Sequence, residues 1–191
     1  MLLSIKKKDI SMNRYIIVVG AHENAKTEIL FVTGMLFDIR KEFDFMCIGI
    51  DAIDNVKSEI KYVATYHPTD IRKIKEKKIG GFNPKFICHE QNKEKNVDIV
   101  IPIYKGAGEK SGSSALLGVY AAQMLGYNKI IVCGCPLEGV SKTTRYPYSN
   151  YRLGWLKSSK LEKDKVRSMS GWTKEFLGEV TKEWLLSTEC N

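Results

Sequence analysis

Strand-length apolar segments alternate with amphipathic stretches along most of this 191-residue chain, and this alternation constrains the fold more than any other feature. The segment 15–20 is almost continuously apolar, as expected of a strand that is buried on both faces of a sheet. Apolar residues then recur with helical spacing between residues 24 and 40. Further strands are predicted at 45–50, 62–66, 86–88, 98–102 and 129–133, with a helix at 70–77 capped by Thr69 and another helix between the last two strands.

This order of elements predicts one α/β domain of Rossmann-like, doubly wound type, with a mostly parallel sheet that is covered by helices on both faces. We expect its core to span about residues 14–137. The polar, tyrosine-rich stretch 138–165 is much longer than a usual connection, which predicts a lid-like loop or a partly helical insertion. The C-terminal segment 166–191 is predicted to end in short helices at 173–177 and 181–186.

The charge of the chain favours an anionic partner. There are 30 Lys and Arg residues against 22 Asp and Glu, a formal net charge of +8, which attracts nucleotides, nucleic acids or acidic lipids. Much of the excess lies in lysine clusters at 6–8, 73–78 and 157–165, which are typical of solvated helix faces and loops. No nucleic-acid module is recognisable, so nucleic-acid binding stays open but is not favoured.

The N-terminal residues and the hydropathy indicate where the protein works. No apolar run reaches the roughly 18 residues that cross a bilayer, and the lysines at 6–8 follow the short apolar N-terminal patch instead of preceding it. This order is the reverse of a secretory signal. We therefore expect a cytoplasmic protein without a membrane partner, and we leave a homo-oligomer open.

The five cysteines are scattered and lie mostly inside strand-like runs. Cys133 and Cys135 are too close together for ordinary zinc spacing, and no second Cys/His pair accompanies them. We predict reduced, structural thiols and no metal site built on them.

The turn Ser111-Gly112-Ser113-Ser114 is the first candidate binding element. It precedes a predicted helix, and it offers small residues, hydroxyls and free backbone N–H groups of the kind that hold a phosphate. A plain helix cap is the alternative, because serine is a favoured N-cap residue. The spacing of a P-loop and of the dinucleotide fingerprint is absent, so a mononucleotide or nucleoside diphosphate fits better than NAD(P) or FAD.

Other unusual residues are predicted to lie at the same edge, because ligands of parallel sheets bind beyond the carboxyl ends of the strands. His67 follows the third strand and precedes a proline, where it could act as a general acid or base or could simply stabilise the turn. The remaining candidates for contact with a nucleotide are Gly20, His22 and Asn24 after the first strand, and Gly134, Cys135 and Pro136 after the strand at 129–133.

The C-terminal third adds two further groups of candidates. Arg167, with Ser168 and Ser170, could grip a phosphate while Trp172 stacks on a ring; alternatively the arginine pairs with a carboxylate and the tryptophan packs a helix. Large polar or aromatic residues that could close over an acceptor are Arg145, Tyr148, Tyr151, Trp155 and Trp172.

The run from Ser111 to Ala115, followed by "LGYNKI" at 125–130 and by Cys133-Gly134, resembles a segment shared by two families. One is the MptE-like (6-hydroxymethylpterin diphosphokinase-like) family, and the other comprises the small Rossmann-like bacterial sialyltransferases. The resemblance implies that this segment lies beside nucleotide phosphates. Those groups often carry an acidic residue where this chain has Cys135-Pro136, and the sialyltransferases are longer, so no specific reaction is carried over. The pattern with "VRSMSGWTKEFLG" also resembles small proteins encoded by bacteriophages and prophages, which would place this one in a bacterial host.

Three functions are consistent with these residues. The first is a nucleotide-dependent, glycosyltransferase-like enzyme that holds a nucleotide or nucleotide-sugar at Ser111–Ser114. The second is a non-catalytic protein that binds or sequesters a nucleotide. The third is a diphosphokinase-like enzyme, which would need Mg²⁺ and carboxylates, for which Asp51 and Glu23 are the candidates.

Overall fold

The computed structural model of the chain describes residues 13–76, 83–89, 97–102, 113–139 and 147–188. These residues form seven strands: β1 (Tyr15–Val19), β2 (Phe43–Ile48), β3 (Tyr62–Ala64), β4 (Lys85–His89), β5 (Ile99–Ile101), β6 (Lys129–Cys133) and β7 (Val166–Ser168). The same residues form six α-helices: α1 (Ala25–Asp38), α2 (Pro68–Glu76), α3 (Ser114–Met124), α4 (Tyr148–Leu156), α5 (Gly171–Leu177) and α6 (Lys182–Leu186).

All seven strands belong to one sheet in the order β5-β4-β3-β2-β1-β6-β7, and every neighbouring pair is parallel. The chain moves outward from β1 to β5 on one side and then returns through α3 to place β6 on the other side of β1. The direction of winding therefore reverses between β1 and β6. The predicted doubly wound, Rossmann-like α/β fold is confirmed.

Two apolar layers cover the sheet, because its central strands are buried on both faces. Alternate residues of β1 and β6 point into opposite layers. One layer contains buried side chains of α3 and α4, and the other contains those of α1, α2 and α6. Gly118 lets α3 lie close to the sheet, because a Cβ at this position would collide with the side chain of Ile48.

The structure differs from the sequence-based expectation in three places. Val166–Ser168 forms the edge strand β7, which was not predicted. Within the stretch 138–165, the described part contains α4, as the partly helical alternative expected, but its Trp155 is fully buried in the core instead of covering a site. The helix α2 begins at Pro68, a residue type favoured in a first turn, so Thr69 lies inside the helix and does not cap it. None of the described helices is long and apolar enough to span a membrane.

Candidate functional site

The carboxyl ends of β1 and β6 meet at the point where the winding of the sheet reverses, and there two loops cross in close contact. A Cβ on Gly20 would lie well under 3.0 Å from both the Cys135 sulfur and the Gly134 carbonyl oxygen. Gly134 has φ +66°, and a Cβ there would lie 2.6 Å from the Cβ of Ala25. Only glycine fits at both positions, so these residues bring the start of α1 directly beside the end of β6.

Hydrogen bonds fix this crossing. Gly20 N donates to Cys133 O at 2.8 Å, and His22 N donates to Gly134 O at 3.2 Å. The buried carboxyl group of Glu28, on α1, accepts a hydrogen bond from Gly134 N at 2.7 Å. The loops are therefore held by the protein itself, and any ligand would lie above them at the open edge.

The thiol of Cys135 is not suited to nucleophilic chemistry at this point. Burial raises its pKa to about 12, and the nearby Glu28 adds to the shift. Burial likewise raises the pKa of Cys133 above its ordinary value. Both side chains therefore stay protonated near neutral pH, and the four described cysteines are buried, as predicted. Cys135 and Pro136 shape the loop through packing.

His22 and Asn24 lie at the rim of this crossing. The ring nitrogen Nδ1 of the half-buried His22 accepts a hydrogen bond from Asn24 N at 3.3 Å. A neutral His22 in this arrangement carries its proton on Nε2, which leaves a donor for a second partner. The side chain of Asn55, which follows β2, donates to Gly20 O at 3.1 Å and ties that connection to the same rim.

The N-terminus of α3 points at the same edge of the sheet, next to the end of β3. Ser113 is the N-cap residue, and its hydroxyl accepts from Leu116 N at 3.4 Å. The hydroxyl of Ser114 accepts from Tyr66 N at 3.5 Å. Both hydroxyls thus stabilise the fold, as the helix-cap alternative expected. The amides of Ser114 and Ala115 have no acceptor within the helix, as in any first turn, and they are the groups that could hold a phosphate.

Two histidines flank Tyr66 at this edge, and the sequence indicated only one of them. His67 is exposed after β3, and its backbone N–H donates to the Thr65 hydroxyl at 3.0 Å. His89 is the last residue of β4, and its ring centroid lies 5.1 Å from that of Tyr66. Its Nδ1 atom is buried without a hydrogen-bond partner among the described residues. The sequence pattern assigns no role to His89, and only its place directly after the predicted strand 86–88 indicates that it lies at a strand end.

Tyr66 itself is not a candidate base. Burial raises its pKa to about 12, with smaller contributions from Tyr120 and Cys88. The phenol is therefore protonated at neutral pH and can only donate a hydrogen bond or stack. The imidazoles of His67 and His89 lie next to it, and an imidazole can both donate and accept a proton.

The loop after β7 joins the crossing through a set of hydroxyls. The Thr173 hydroxyl lies 2.8 Å from the Ser168 hydroxyl and donates to Cys135 O at 2.8 Å. Gly171 has φ +61°, and a Cβ there would lie 2.7 Å from the Pro136 carbonyl oxygen. The Ser170 hydroxyl is buried without a partner among the described residues. The Ser168 hydroxyl thus stabilises the fold, whereas Ser170 lies next to Gly171 and so beside the loop 134–136, which was predicted to contact a nucleotide.

Arg167 does not belong to this site. It pairs with Ile131 in the middle of β7, away from the carboxyl edge. Its guanidinium donates to the carbonyl oxygens of Lys163, Val166 and Leu177 at 2.8–3.1 Å, and it lies 5.2 Å from the ring centroid of Trp184. The strand thus directs the guanidinium to backbone carbonyls, and these contacts give no support to the prediction that it adds charge to a phosphate site.

The predicted lid residues separate into two groups. Trp155 is fully buried, so it belongs to the core and cannot close over an acceptor. Tyr148 and Tyr151 are partly buried with their ring centroids 6.5 Å apart. The next turn of α4 is tied to the site, because Arg152 donates to Leu137 O at 2.8 Å.

Trp172 lies next to Arg152 of α4 and to Phe176 of its own helix, α5. The guanidinium of Arg152 lies 5.6 Å from the Trp172 ring centroid, and that ring stacks on Phe176 at 4.9 Å. The sequence did not single out Arg152. The contact places Trp172 and α4 beside the loop that follows β6, which is where a residue that covers an acceptor would be needed.

Some predicted residues lie outside the part of the chain that the structure describes: Ser111, Gly112 and Arg145. Asp51 and Glu23, the candidate Mg²⁺ ligands, are both exposed. Within the described ranges, no group of three or more His, Cys, Asp or Glu side chains could hold a metal ion. The described residues therefore give no support to a protein-built magnesium site.

Comparison with protein-family models, with curated proteins and with solved structures gives no match for this chain. The resemblance to the MptE-like family and to the small sialyltransferases stays a prediction, carried by the sequence alone.

Proposed function

We propose that the chain is a nucleotide-dependent transferase that binds a nucleotide or nucleotide-sugar at the carboxyl edge of its sheet. The observation that carries this proposal is the strand order, because open α/β sheets bind their ligands where the winding reverses. In this chain that point is the β1–β6 crossing, and the independently predicted residues Gly20, His22, Asn24 and Gly134 all lie there. The N-terminus of α3 faces the same edge.

The two parts of the edge match the length of a nucleotide. Neighbouring strands are about 4.8 Å apart, so the end of β3, where α3 begins, lies about 10 Å from the end of β1. A phosphate on the amides of Ser114 and Ala115 would place its nucleoside toward His22 and Asn24. The positive end of α3 favours the phosphate charge, and no phosphate-binding lysine is needed.

The proposed reaction is group transfer to an acceptor hydroxyl. The hydroxyl oxygen attacks the transferred carbon, the bond from that carbon to the phosphate oxygen breaks, and the nucleotide leaves with the bonding electrons. The hydroxyl proton passes to an imidazole, for which His67 and His89 are the candidates on either side of Tyr66. A neutral imidazole can accept this proton near pH 7.

The phosphate position is tested by two substitutions of similar size at one residue. Ser114→Asp adds a negative charge at a helix N-terminus, where the fold tolerates it, but the charge would repel a bound phosphate. Ser114→Asn changes the side chain without the charge. A thermal-shift screen against CMP, UDP, GDP and ATP first identifies the ligand, and titration calorimetry then compares the variants. Ligand at 100 times its Kd stabilises the protein by about 2.7 kcal/mol, which raises Tm by several degrees.

We expect Ser114→Asp to weaken binding at least tenfold and Ser114→Asn to weaken it less than threefold. Equal nucleotide affinity in both variants would show that the phosphate does not bind at the N-terminus of α3. No thermal shift with any nucleotide would refute the proposal as a whole.

Catalysis is tested separately by turnover. The assay measures release of free nucleotide from the identified donor with and without candidate acceptor sugars. His67→Gln and His89→Gln should each retain ligand affinity, and at least one of them should lower kcat a hundredfold or more, a typical contribution of acid–base catalysis. Binding without measurable turnover in the wild type would instead support a non-catalytic nucleotide-sequestering protein.

A further inference from the structure

The outer face of α1 carries a stripe of large apolar side chains that the fold does not cover. Leu30 is 73% exposed, Phe31 59% and Phe37 69%. Phe37 lies seven residues, about two turns, after Leu30, and Phe31 lies about 100° around the helix from Leu30, so the three side chains span an arc of about 120° on the exposed side of α1. The stripe faces away from the sheet, because the buried residues of α1, such as Val32 and Leu36, occupy the opposite side.

The middle of the stripe is occupied by a glycine, which has no side chain to project from the helix. Gly34 lies between Phe31 and Phe37 on the exposed face, and a Cβ at this position would meet no atom within 4 Å. Glycine in the middle of a helix costs about 1 kcal/mol relative to alanine, and no contact within the described residues explains it. The Phe37 ring packs edge-on against Phe43 with centroids 5.8 Å apart, which holds this anchor in place.

We propose that this face is a homodimer interface, in which α1 packs antiparallel against α1 of a second copy about a two-fold axis near Gly34. A two-fold axis makes the surface its own partner, and the glycine lets the helices approach closely. Phe31 of each copy then lies opposite Phe37 of the other, on either side of the axis.

The charges of α1 fit this arrangement. Lys26 and Asp38 are both exposed at opposite ends of the stripe. Antiparallel packing centred near Gly34 places Lys26 of one copy about four residues, or about 6 Å along the helix axis, from the level of Asp38 of the other. Parallel packing would place like charges together instead. The symmetric contact therefore forms two opposite-charge pairs around an apolar centre.

The exposed apolar area amounts to about half of what a stable dimer interface buries per partner. An aromatic side chain offers about 200 Å², so the three apolar residues together expose about 400 Å² per copy. A stable interface buries about 800 Å² per partner, with an apolar centre and a polar rim. The stripe supplies that centre, and the charged residues at its ends supply part of the rim.

The test is sedimentation velocity of the full chain from about 1 to 100 μM at physiological salt, where the charge of +8 is screened. We expect a concentration-dependent dimer in the wild type. Phe31→Glu should raise the dimer Kd at least tenfold with an unchanged circular dichroism spectrum. Met124→Glu is the matched control, because Met124 is 53% exposed on a helix that covers the other face of the sheet, and it should leave the dimer intact.

The antiparallel register is tested by charge exchange. Lys26→Glu and Asp38→Lys should each weaken the dimer about threefold or more, and the double variant should return to within about threefold of the wild type. A chain that sediments as a monomer throughout this concentration range overturns the proposal. A dimer that Phe31→Glu does not weaken also overturns it, and so does a double variant that is weaker than both single variants.

Discussion

The crossing of the loops after β1 and β6 requires glycine at position 20. Substitution of Gly20 by alanine adds a single methyl group, which would lie far inside contact distance of the Cys135 sulfur and the Gly134 carbonyl oxygen. The sulfur belongs to a buried side chain, and the carbonyl oxygen already accepts a hydrogen bond from His22 N. Neither can move without separating the two loops.

The size of the effect follows from overpacking. Extra methyl groups in a well-packed region cost about 1–3 kcal/mol, and the upper end applies here because one of the colliding atoms is backbone. We expect Gly20→Ala to lower the free energy of unfolding by about 3 kcal/mol. For a chain of this length Tm falls by about 2–4 °C per kcal/mol, so a drop of about 6–12 °C should follow.

Gly34→Ala is the matched control, because it makes the same chemical change on the exposed side of α1. With open space at its Cβ position, it should stabilise the monomer by about 0.5–1 kcal/mol through helix propensity. Urea unfolding followed by circular dichroism, at one low protein concentration for all variants, measures both changes. A Gly20→Ala protein within 1 kcal/mol of the wild type would refute the described crossing.

Three further outcomes are expected. Ser113→Ala should lower the free energy of unfolding by about 1 kcal/mol through loss of the α3 cap, measured by urea unfolding, and an unchanged midpoint would contradict the cap. Arg167→Lys should lower the free energy of unfolding by about 1–3 kcal/mol, because three carbonyls lose charged hydrogen bonds. Its nucleotide affinity in calorimetry should stay within twofold of the wild type. A large loss of affinity with unchanged stability would show that Arg167 contacts the nucleotide. Stability should also fall in alkali: Cys47 and Cys135 have pKa values raised to about 12 in the fold, so their contribution is complete below the unfolded pKa near 9 and is lost as pH rises toward 12. Each thiol lowers the free energy of unfolding by about 1.4 kcal/mol per pH unit in that window. A urea midpoint that stays constant from pH 9 to 11 would contradict this.

The central strands could be predicted because burial on both faces leaves a continuous apolar run. Residues 15–19 and 129–133 show this directly, since all of these side chains are buried. The edge strand β7 has only three residues with Arg167 in the middle, so its sequence carries no such run. Strand order could not be derived either, because an apolar run does not specify its neighbours.

Side-chain direction accounts for the other differences. Trp155 lies among polar and aromatic residues in the sequence, and only the packing of α4 against the sheet shows that it is core. Arg167 was grouped with its sequence neighbours, although the alternation of a strand turns it away from Ser168. His89 is the last residue of β4, and only the pairing of β3 with β4 shows that its ring lies beside Tyr66.

The most direct test of nucleotide binding at the carboxyl edge is a titration followed by amide chemical shifts of the 21.7 kDa chain. With the nucleotide that gives the largest thermal shift, the largest changes should occur at residues 20–24, 65–67 and 113–115, and at His89. Changes concentrated at the lysine-rich residues 157–165, or no saturable change at all, would contradict the account.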